Sequence, residues 1–140
     1  DPMSSAYLQP KTFFSGGGGL VGTSYDYWRF CEMLRRGGEL DGTRILGPRT
    51  IDLMHANHLP NGGDLSSLAL GAFSETAYEG IGFGLGFATT LGAVDAGQFG
   101  AGDYFWGGAA STIFWVDPHE DLVVIFMTQL MPSNTFNFRG

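Results

Sequence analysis

The chain has 140 residues, of which 44% are hydrophobic and 15% are charged, and its net charge is −7 at neutral pH. This length is typical of a single domain with its own hydrophobic core. Only seven residues are Lys or Arg, which argues against a nucleic-acid partner because binding to phosphates requires many such cations. The longest apolar run, residues 122–127, is far shorter than the ~20 residues that a membrane-spanning helix needs.

The first predicted helix covers residues 24–36 and follows a loop that ends in four consecutive glycines. Thr23 can cap this helix, and Asp26 favours the positive end of the helix dipole. The apolar side chains recur every three or four residues and so form one inward-facing stripe, made of Tyr27, Phe30, Cys31 and Leu34.

A hairpin and a second helix are predicted next. The pair Asp41-Gly42 is typical of a two-residue hairpin turn, which places a short hairpin over residues 39–46. Pro48 is favoured at the first position of a helix, and we predict a helix from there to about residue 57. Its inward side chains are expected to include Ile51, Met54 and His55.

Strands are predicted in the second half of the chain, between Gly-rich loops over residues 58–80 and 92–103. Residues 82–87 alternate glycine with large apolar side chains, which predicts a strand with all its bulk on one face. Two further strands are predicted over residues 109–116 and 122–129, joined by a tight turn. Both are apolar on both faces, which favours the middle of a sheet that is covered on two sides.

The chain contains no complete catalytic or metal-binding motif. The three histidines, His55, His58 and His119, lack the spacing and thiolate or carboxylate support of a zinc site, so we expect no metal and no cofactor. There is no Gly-x-Ser-x-Gly, and the only lysine, Lys11, follows no serine at the spacing Ser-x-x-Lys. The single Cys31 cannot form an intrachain disulfide, so cysteine usage does not distinguish a bacterial cytoplasm from a periplasm.

Three stretches resemble a known family. They are SGGGGLVGTSYDYWRFCEMLRRGGELDGTRILGPRTIDLM, GFGLGF and WGGAASTIFWVDPHEDLVVIFMTQ, in this order along the chain. They are similar to the C-terminal part of the class C β-lactamase-like serine hydrolases, a superfamily that includes family VIII carboxylesterases and penicillin-binding DD-peptidases. The resemblance implies an α+β fold of the β-lactamase/transpeptidase type, with an antiparallel sheet covered by helices. It also implies that residues 1–140 are the C-terminal part of one such domain.

The resemblance further implies the residues of a site. Trp106-Gly107-Gly108 matches the Trp-x-Gly motif of family VIII esterases, which stands where other members have Lys-Thr-Gly or His-x-Gly. A strand that begins with this motif would lie along the acyl group, with Phe105, Trp106 and Gly107 binding the substrate. Gly108 would leave room for that group, and the backbone N–H of Ala109 would be one oxyanion-hole donor. The alternative interpretation is an aromatic plug at Trp106 followed by a glycine bulge.

The implied activity is that of a complete enzyme, a serine hydrolase that cleaves an ester or amide through an acyl-enzyme. The family's Ser-x-x-Lys and Tyr-x-Asn motifs lie N-terminal to the region present here, so the chain alone is expected to be inactive. Tryptophan in place of Lys or His removes a cation beside the carboxylate of a β-lactam, which favours an esterase. The alternatives are a β-lactamase or DD-peptidase of the same fold and a non-catalytic binding module. The expected partners are a small ester or amide substrate and either the N-terminal portion of the same domain or a second copy of the chain.

Overall fold

The computed structural model describes residues 6–68, 78–92, 100–133 and 135–136. Five strands form one antiparallel sheet in the order β3-β4-β5-β6-β7, and β1 and β2 form a separate hairpin. Helices combined with antiparallel sheets confirm the predicted α+β class. The elements are, in chain order, α1 (Ser24–Arg35), β1 (Glu39–Leu40), β2 (Thr43–Arg44), α2 (Pro48–His55), α3 (Leu65–Leu68), β3 (Ile81–Phe83), β4 (Ala88–Thr90), β5 (Tyr104–Gly107), β6 (Ile113–Asp117) and β7 (Leu122–Phe126).

The predicted cap of α1 is confirmed. The Thr23 hydroxyl accepts a hydrogen bond from the Asp26 N–H at 3.1 Å, and the Asp26 carboxylate accepts one from the Thr23 N–H at 3.0 Å. Hydrogen bonds from the Thr23 hydroxyl and backbone hold the pKa of the Asp26 carboxyl below its usual value. This reciprocal arrangement is a capping box, and it fixes where α1 begins.

The buried face of α1 differs in part from the predicted stripe. Cys31 and Leu34 are buried as expected, but Phe30 is 41% exposed and Met33 is buried in its place. The sequence pattern missed this rotation because both side chains are apolar and lie within one turn of each other. The helix ends at Arg35, and the turn that follows contains Gly37 and Gly38, whose positive φ angles of 67° and 94° suit glycine.

The hairpin and α2 agree with the prediction, with a shorter helix. Asp41 and Gly42 have φ angles of 50° and 75°, as a two-residue turn between strands requires. The second helix begins at Pro48 and ends at His55, about two residues earlier than predicted. It ends there because the Met54 carbonyl accepts a hydrogen bond from the Leu85 N–H at 2.7 Å, which ties the helix end to the turn after β3.

The single strand predicted over residues 82–87 is wrong. The chain instead forms β3, turns, and returns as β4. The Gly84 N–H donates to the Phe87 carbonyl at 2.8 Å and closes the turn, and Gly86 has a φ of 104°. A Cβ at Gly84 would lie 2.1 Å from the Met54 carbonyl oxygen, so this glycine also lets α2 contact the backbone. The glycines therefore serve the turn and the helix contact, not one face of a strand.

The two strands predicted next are shorter than expected. Residues 108–112 form a turn, so β6 begins at Ile113 and the tryptophan motif lies at the end of β5 instead of at the start of a strand. The last strand, β7, is at the end of the strand order, and Leu122 and Phe126 are 44% and 42% exposed. Within the described residues, β6 therefore lies inside the sheet as expected, whereas β7 lies at its edge.

The loop predictions are tested only in part. Within residues 58–68 the structure contains a 3₁₀ turn at Pro60–Gly62 and the short helix α3, so this segment is not purely a loop. The remainder of the predicted loops includes residues 69–77 and 93–99, which lie outside the described residues. No helix in the described part of the chain is long and apolar enough to cross a membrane.

Two clusters of buried side chains form the core. The larger lies between α1, α2 and the sheet, and contains Cys31, Met33, Leu34, Ile51, Phe87, Tyr104, Phe114 and Val116. The smaller contains Ile81, Ala88 and Phe105. Trp106 packs against both clusters, so the first residue of the predicted motif is fixed by the two parts of the core at once.

Candidate active site

A cavity of about 270 Å³ lies beside the end of β5. Its volume is close to the lower limit of roughly 300 Å³ for small-molecule sites. Three residues of the predicted motif line it, together with side chains from α1, β6 and the segment after β7. The lining residues are Tyr27, Trp106, Gly107, Gly108, Thr112, Ile113, Phe114 and Met127. The lining is mostly apolar, and none of these side chains is charged at neutral pH.

The indole ring of Trp106 forms one wall of this cavity. Its other contacts are aromatic, with the Phe83 ring edge-on at a centroid distance of 4.9 Å and the Tyr78 ring stacked at 6.4 Å. Trp106 is half-buried, so the ring packs into the core and still faces the cavity. The packing expected of an aromatic plug and the exposure expected of a substrate-binding wall are therefore both present.

The end of β5 has an open edge. Strand β4 pairs only with Tyr104 and Phe105, whereas β6 pairs with β5 as far as Gly107. The Gly108 N–H donates to the Thr112 carbonyl at 2.9 Å, on the β6 side. Successive residues of a strand direct their N–H and C=O groups to opposite edges, so those of Gly107 face the β4 side. Strand β4 begins at Ala88, opposite Phe105, and so does not reach Gly107. An extended ligand could add to the sheet at this edge.

The turn after β5 contains Ala109. The Ser111 N–H donates to the Gly108 carbonyl at 3.0 Å and closes a four-residue turn in which Ala109 is the second residue. Ala109 is exposed. Among the residues that the structure describes, no group accepts a hydrogen bond from its N–H. This backbone N–H is therefore a candidate donor next to Gly108, which lines the cavity.

Gly108 has a local reason to be glycine. A Cβ at this position would lie 2.5 Å from the Thr112 Oγ1 across the hairpin. The expectation was that a side chain would intrude on the acyl group, but its nearest neighbour is Thr112 instead. Both residues line the cavity, so a bulkier residue 108 would displace Thr112 within the same space.

Phe105 lies in the core instead of at the cavity. Its side chain is only 6% exposed and packs with Ile81 and Ala88. It does not line the cavity that contains Trp106 and Gly107, the neighbouring residues on the strand. The family resemblance implied a substrate-binding role for Phe105, which precedes Trp106 directly, but alternation along a strand turns adjacent side chains to opposite faces.

Tyr27 was not among the predicted site residues, yet it lines the cavity from α1. Its ring contacts Phe114 edge-on at a centroid distance of 5.2 Å. Burial, with a smaller effect from Cys31, raises the pKa of the Tyr27 hydroxyl to about 12, so this group stays protonated at neutral pH and can donate a hydrogen bond. Its place on the predicted inward stripe of the first helix was the available signal. Thr112 and Met127 carried no such signal.

The histidines have separate surroundings. The His55 ring stacks on Tyr104 at a centroid distance of 4.9 Å, and burial lowers its pKa. A ring nitrogen of His58 is hydrogen-bonded to the Leu53 carbonyl at 2.7 Å, and His119 is exposed in the turn before β7. Within residues 6–68, 78–92, 100–133 and 135–136, no group of three or more His, Cys, Asp or Glu side chains could hold a metal ion.

Comparison with known proteins identifies the family of the chain. The family model described as beta-lactamase matches residues 1–139. Two curated proteins of Mycobacterium tuberculosis are each 32% identical to the chain over 137 residues, which is 95% of this chain and 33% of the relative. They are named "Uncharacterized protein MT1414" (strain CDC 1551 / Oshkosh) and "Protein Rv1367c" (strain ATCC 25618 / H37Rv). The chain thus spans about a third of the length of these relatives. The family match over almost every residue, together with the α+β architecture, shows that the chain belongs to the beta-lactamase family and has its serine hydrolase-like fold.

Proposed function

We propose that this chain is part of a carboxylesterase-type serine hydrolase that cleaves esters or amides through an acyl-enzyme. In this proposal the chain supplies the Trp106 wall of the acyl pocket and one oxyanion donor, the Ala109 N–H. The observation that carries the proposal is the uncharged cavity beside an open strand edge, next to a backbone N–H that has no acceptor in the described residues.

The chemistry follows from these three features. Attack on an ester carbonyl places negative charge on its oxygen, and a backbone N–H held next to that oxygen stabilises the transition state. The Ala109 N–H can serve as such a donor because the turn leaves it unused. The acyl group would then lie along the Gly107 edge, with its apolar part against Trp106.

The charge of the cavity favours a neutral acyl group. A β-lactam or a peptide C-terminus carries a carboxylate, and a desolvated carboxylate requires a cation or several hydrogen bonds. None of the described residues that line this cavity is Lys, Arg or His. We therefore rank an esterase above a β-lactamase or a DD-peptidase of the same fold. The upstream sequence distinguishes an enzyme from a non-catalytic binding module. A Ser-x-x-Lys motif there would indicate an enzyme, and its absence would indicate the module.

We predict that the 140-residue chain alone does not hydrolyse aryl esters or chromogenic cephalosporins. It lacks the Ser-x-x-Lys motif that would supply the nucleophile. A longer natural form that includes this motif should hydrolyse the esters with a burst of product, and a serine-reactive probe should titrate one site. Turnover and probe labelling by the 140-residue chain itself would contradict the proposal, and Ser66→Ala, Ser67→Ala and Ser111→Ala would locate the reactive serine.

We also propose that β7 and the adjoining sheet face contact the remaining portion of the same domain or a second copy of this chain. The outer edge of β7 has no strand partner in the described part of the chain, and Leu122, Phe126 and Met127 are all exposed by more than a third. A strand edge without a neighbouring strand, close to the exposed side chains of Leu122 and Met127, favours association.

Sedimentation velocity tests this surface. The 140-residue chain should form dimers or larger species as its concentration rises, and Leu122→Lys should shift the distribution toward monomer. Leu53→Lys is the matched control, because Leu53 is also an exposed leucine but lies on α2. This substitution leaves β7 unchanged and should have little effect on the distribution of species. A monodisperse monomer at high concentration would contradict the proposal.

Trp106→Ala in the longer protein should change acyl selectivity. Removing the indole enlarges the cavity, so we expect the ratio of kcat/KM for long-chain over short-chain esters to rise about tenfold, which corresponds to roughly 1.4 kcal/mol. Trp115→Ala is the matched control, because Trp115 packs against the smaller core cluster and does not line the cavity. An equal loss for all ester lengths in Trp106→Ala would indicate that this ring is only a packing residue.

Ala109→Pro should remove the oxyanion donor with little change in the fold. Proline has no N–H, and it is common at the second position of a four-residue turn. We expect kcat/KM to fall by about 10²–10³, while Ala109→Ser, which keeps the N–H, should remain near the original activity. Thermal unfolding of both variants checks the fold, and full activity in a stable Ala109→Pro protein would exclude this N–H as a donor.

A further inference from the structure

Ser111 combines two unusual features. Its φ angle is 61°, in the left-handed region that residues other than glycine rarely adopt. Its side chain is completely buried, with 0% exposure, although it is a polar residue in a turn. Glycine would adopt this backbone conformation more easily, so the serine hydroxyl needs an explanation of its own.

The hydroxyl of Ser111 binds the segment that follows β7. It donates to the Leu130 carbonyl at 3.0 Å and lies 3.5 Å from the Ser133 carbonyl oxygen. The preceding residue of the turn is held by the same segment, because the Thr128 hydroxyl donates to the Ala110 carbonyl. Two adjacent residues of the turn are therefore attached to one stretch of chain, residues 128–133.

Ser111 is connected to the proposed oxyanion donor, the Ala109 N–H, through a single peptide group. The Ser111 N–H donates to the Gly108 carbonyl, and that carbonyl shares a planar trans peptide with the Ala109 N–H. In a trans peptide the C=O and N–H point in opposite directions, so fixing the carbonyl toward Ser111 fixes the Ala109 N–H toward the solvent side. The position of Ser111 thus determines the direction of the donor.

We propose that Ser111 and Thr128 are positioning residues that hold the Ala109 N–H in a catalytically useful orientation. This inference rests on the proposed function of the same site. A donor stabilises the transition state most when it needs no reorganisation during the reaction, and the two hydroxyls provide that rigidity from the segment after β7. Neither side chain needs to touch the substrate.

The test uses Ser111→Ala, Ser111→Gly and Thr128→Val in the longer, catalytically complete protein. We expect kcat to fall about tenfold or more in each variant, because small displacements of a catalytic group have large effects on rate, while KM changes less than twofold. Inhibition by an alkyl boronic acid, whose tetrahedral adduct places an oxygen at the oxyanion site, should weaken by the same factor as kcat. Ser111→Gly should lose activity although it removes the backbone strain, which separates the hydroxyl from the φ angle.

Two further measurements separate this role from general destabilisation. Ser67→Ala is the matched control, because it removes a serine hydroxyl that donates to a backbone carbonyl, that of Asp64 at 2.7 Å, in a different part of the fold. Hydrogen exchange should become faster at the Ser111 amide in the Ser111 and Thr128 variants, and not in Ser67→Ala. Active-site titration confirms that the same fraction of each protein is competent.

The outcomes distinguish the two proposals. Faster exchange at the turn with unchanged kcat and boronate affinity would overturn the positioning role while leaving the hydrolase proposal intact. Unchanged exchange would show that the hydroxyls do not hold the turn, and would overturn it as well. A longer protein with no hydrolase activity before any substitution would overturn the proposed function, and with it the positioning role.

Discussion

The antiparallel pairing of β5 with β6 determines the positions of most residues of the candidate site. Its register joins Trp106 to Phe114 and Gly107 to Ile113, so Trp106 and Phe114 share a cavity and the turn between the strands begins at Gly108. A shift of one residue would exchange the two faces of β5, moving Trp106 away from the cavity. The shorter pairing with β4 matters equally, because it leaves the last part of β5 open on one side.

The sequence predicted an element correctly where a residue type favours only one local backbone structure. The cap at Thr23, the turn at Asp41-Gly42 and the helix start at Pro48 each follow from backbone preferences that neighbouring structure does not change. The glycines of residues 82–87 were misinterpreted because glycine suits a bare strand face, a turn and a close helix contact alike. Only the position of the Met54 carbonyl against Gly84 decides among these uses, and that contact is not local in sequence.

The candidate site was predictable to the extent that it is continuous in sequence. Trp106, Gly107 and Gly108 line the cavity as one motif, whereas Tyr27, Thr112 and Met127 reach it from other elements. The burial of Phe105 shows the limit of reading a site from adjacent residues, since the strand turns neighbours to opposite faces. The left-handed conformation of Ser111 had no sequence signal at all, because serine is not a residue that typically marks such a turn position.

The two parts of the site are supported by different portions of the fold. Trp106 is held by the core clusters beneath it, while the turn that contains Ala109 is held by hydroxyls that bind the segment after β7. A change at Trp106 therefore need not displace the Ala109 N–H, because none of the hydrogen bonds that described residues make to the turn involves the indole ring. For the proposed esterase, this separation would allow the wall formed by Trp106 to change in size or polarity while the Ala109 N–H keeps its orientation. The turn that contains Ala109 is also held from both sides. The Gly108 N–H donates to the Thr112 carbonyl and the Ser111 N–H to the Gly108 carbonyl, while the Thr128 hydroxyl donates to the Ala110 carbonyl and the Ser111 hydroxyl to the Leu130 carbonyl.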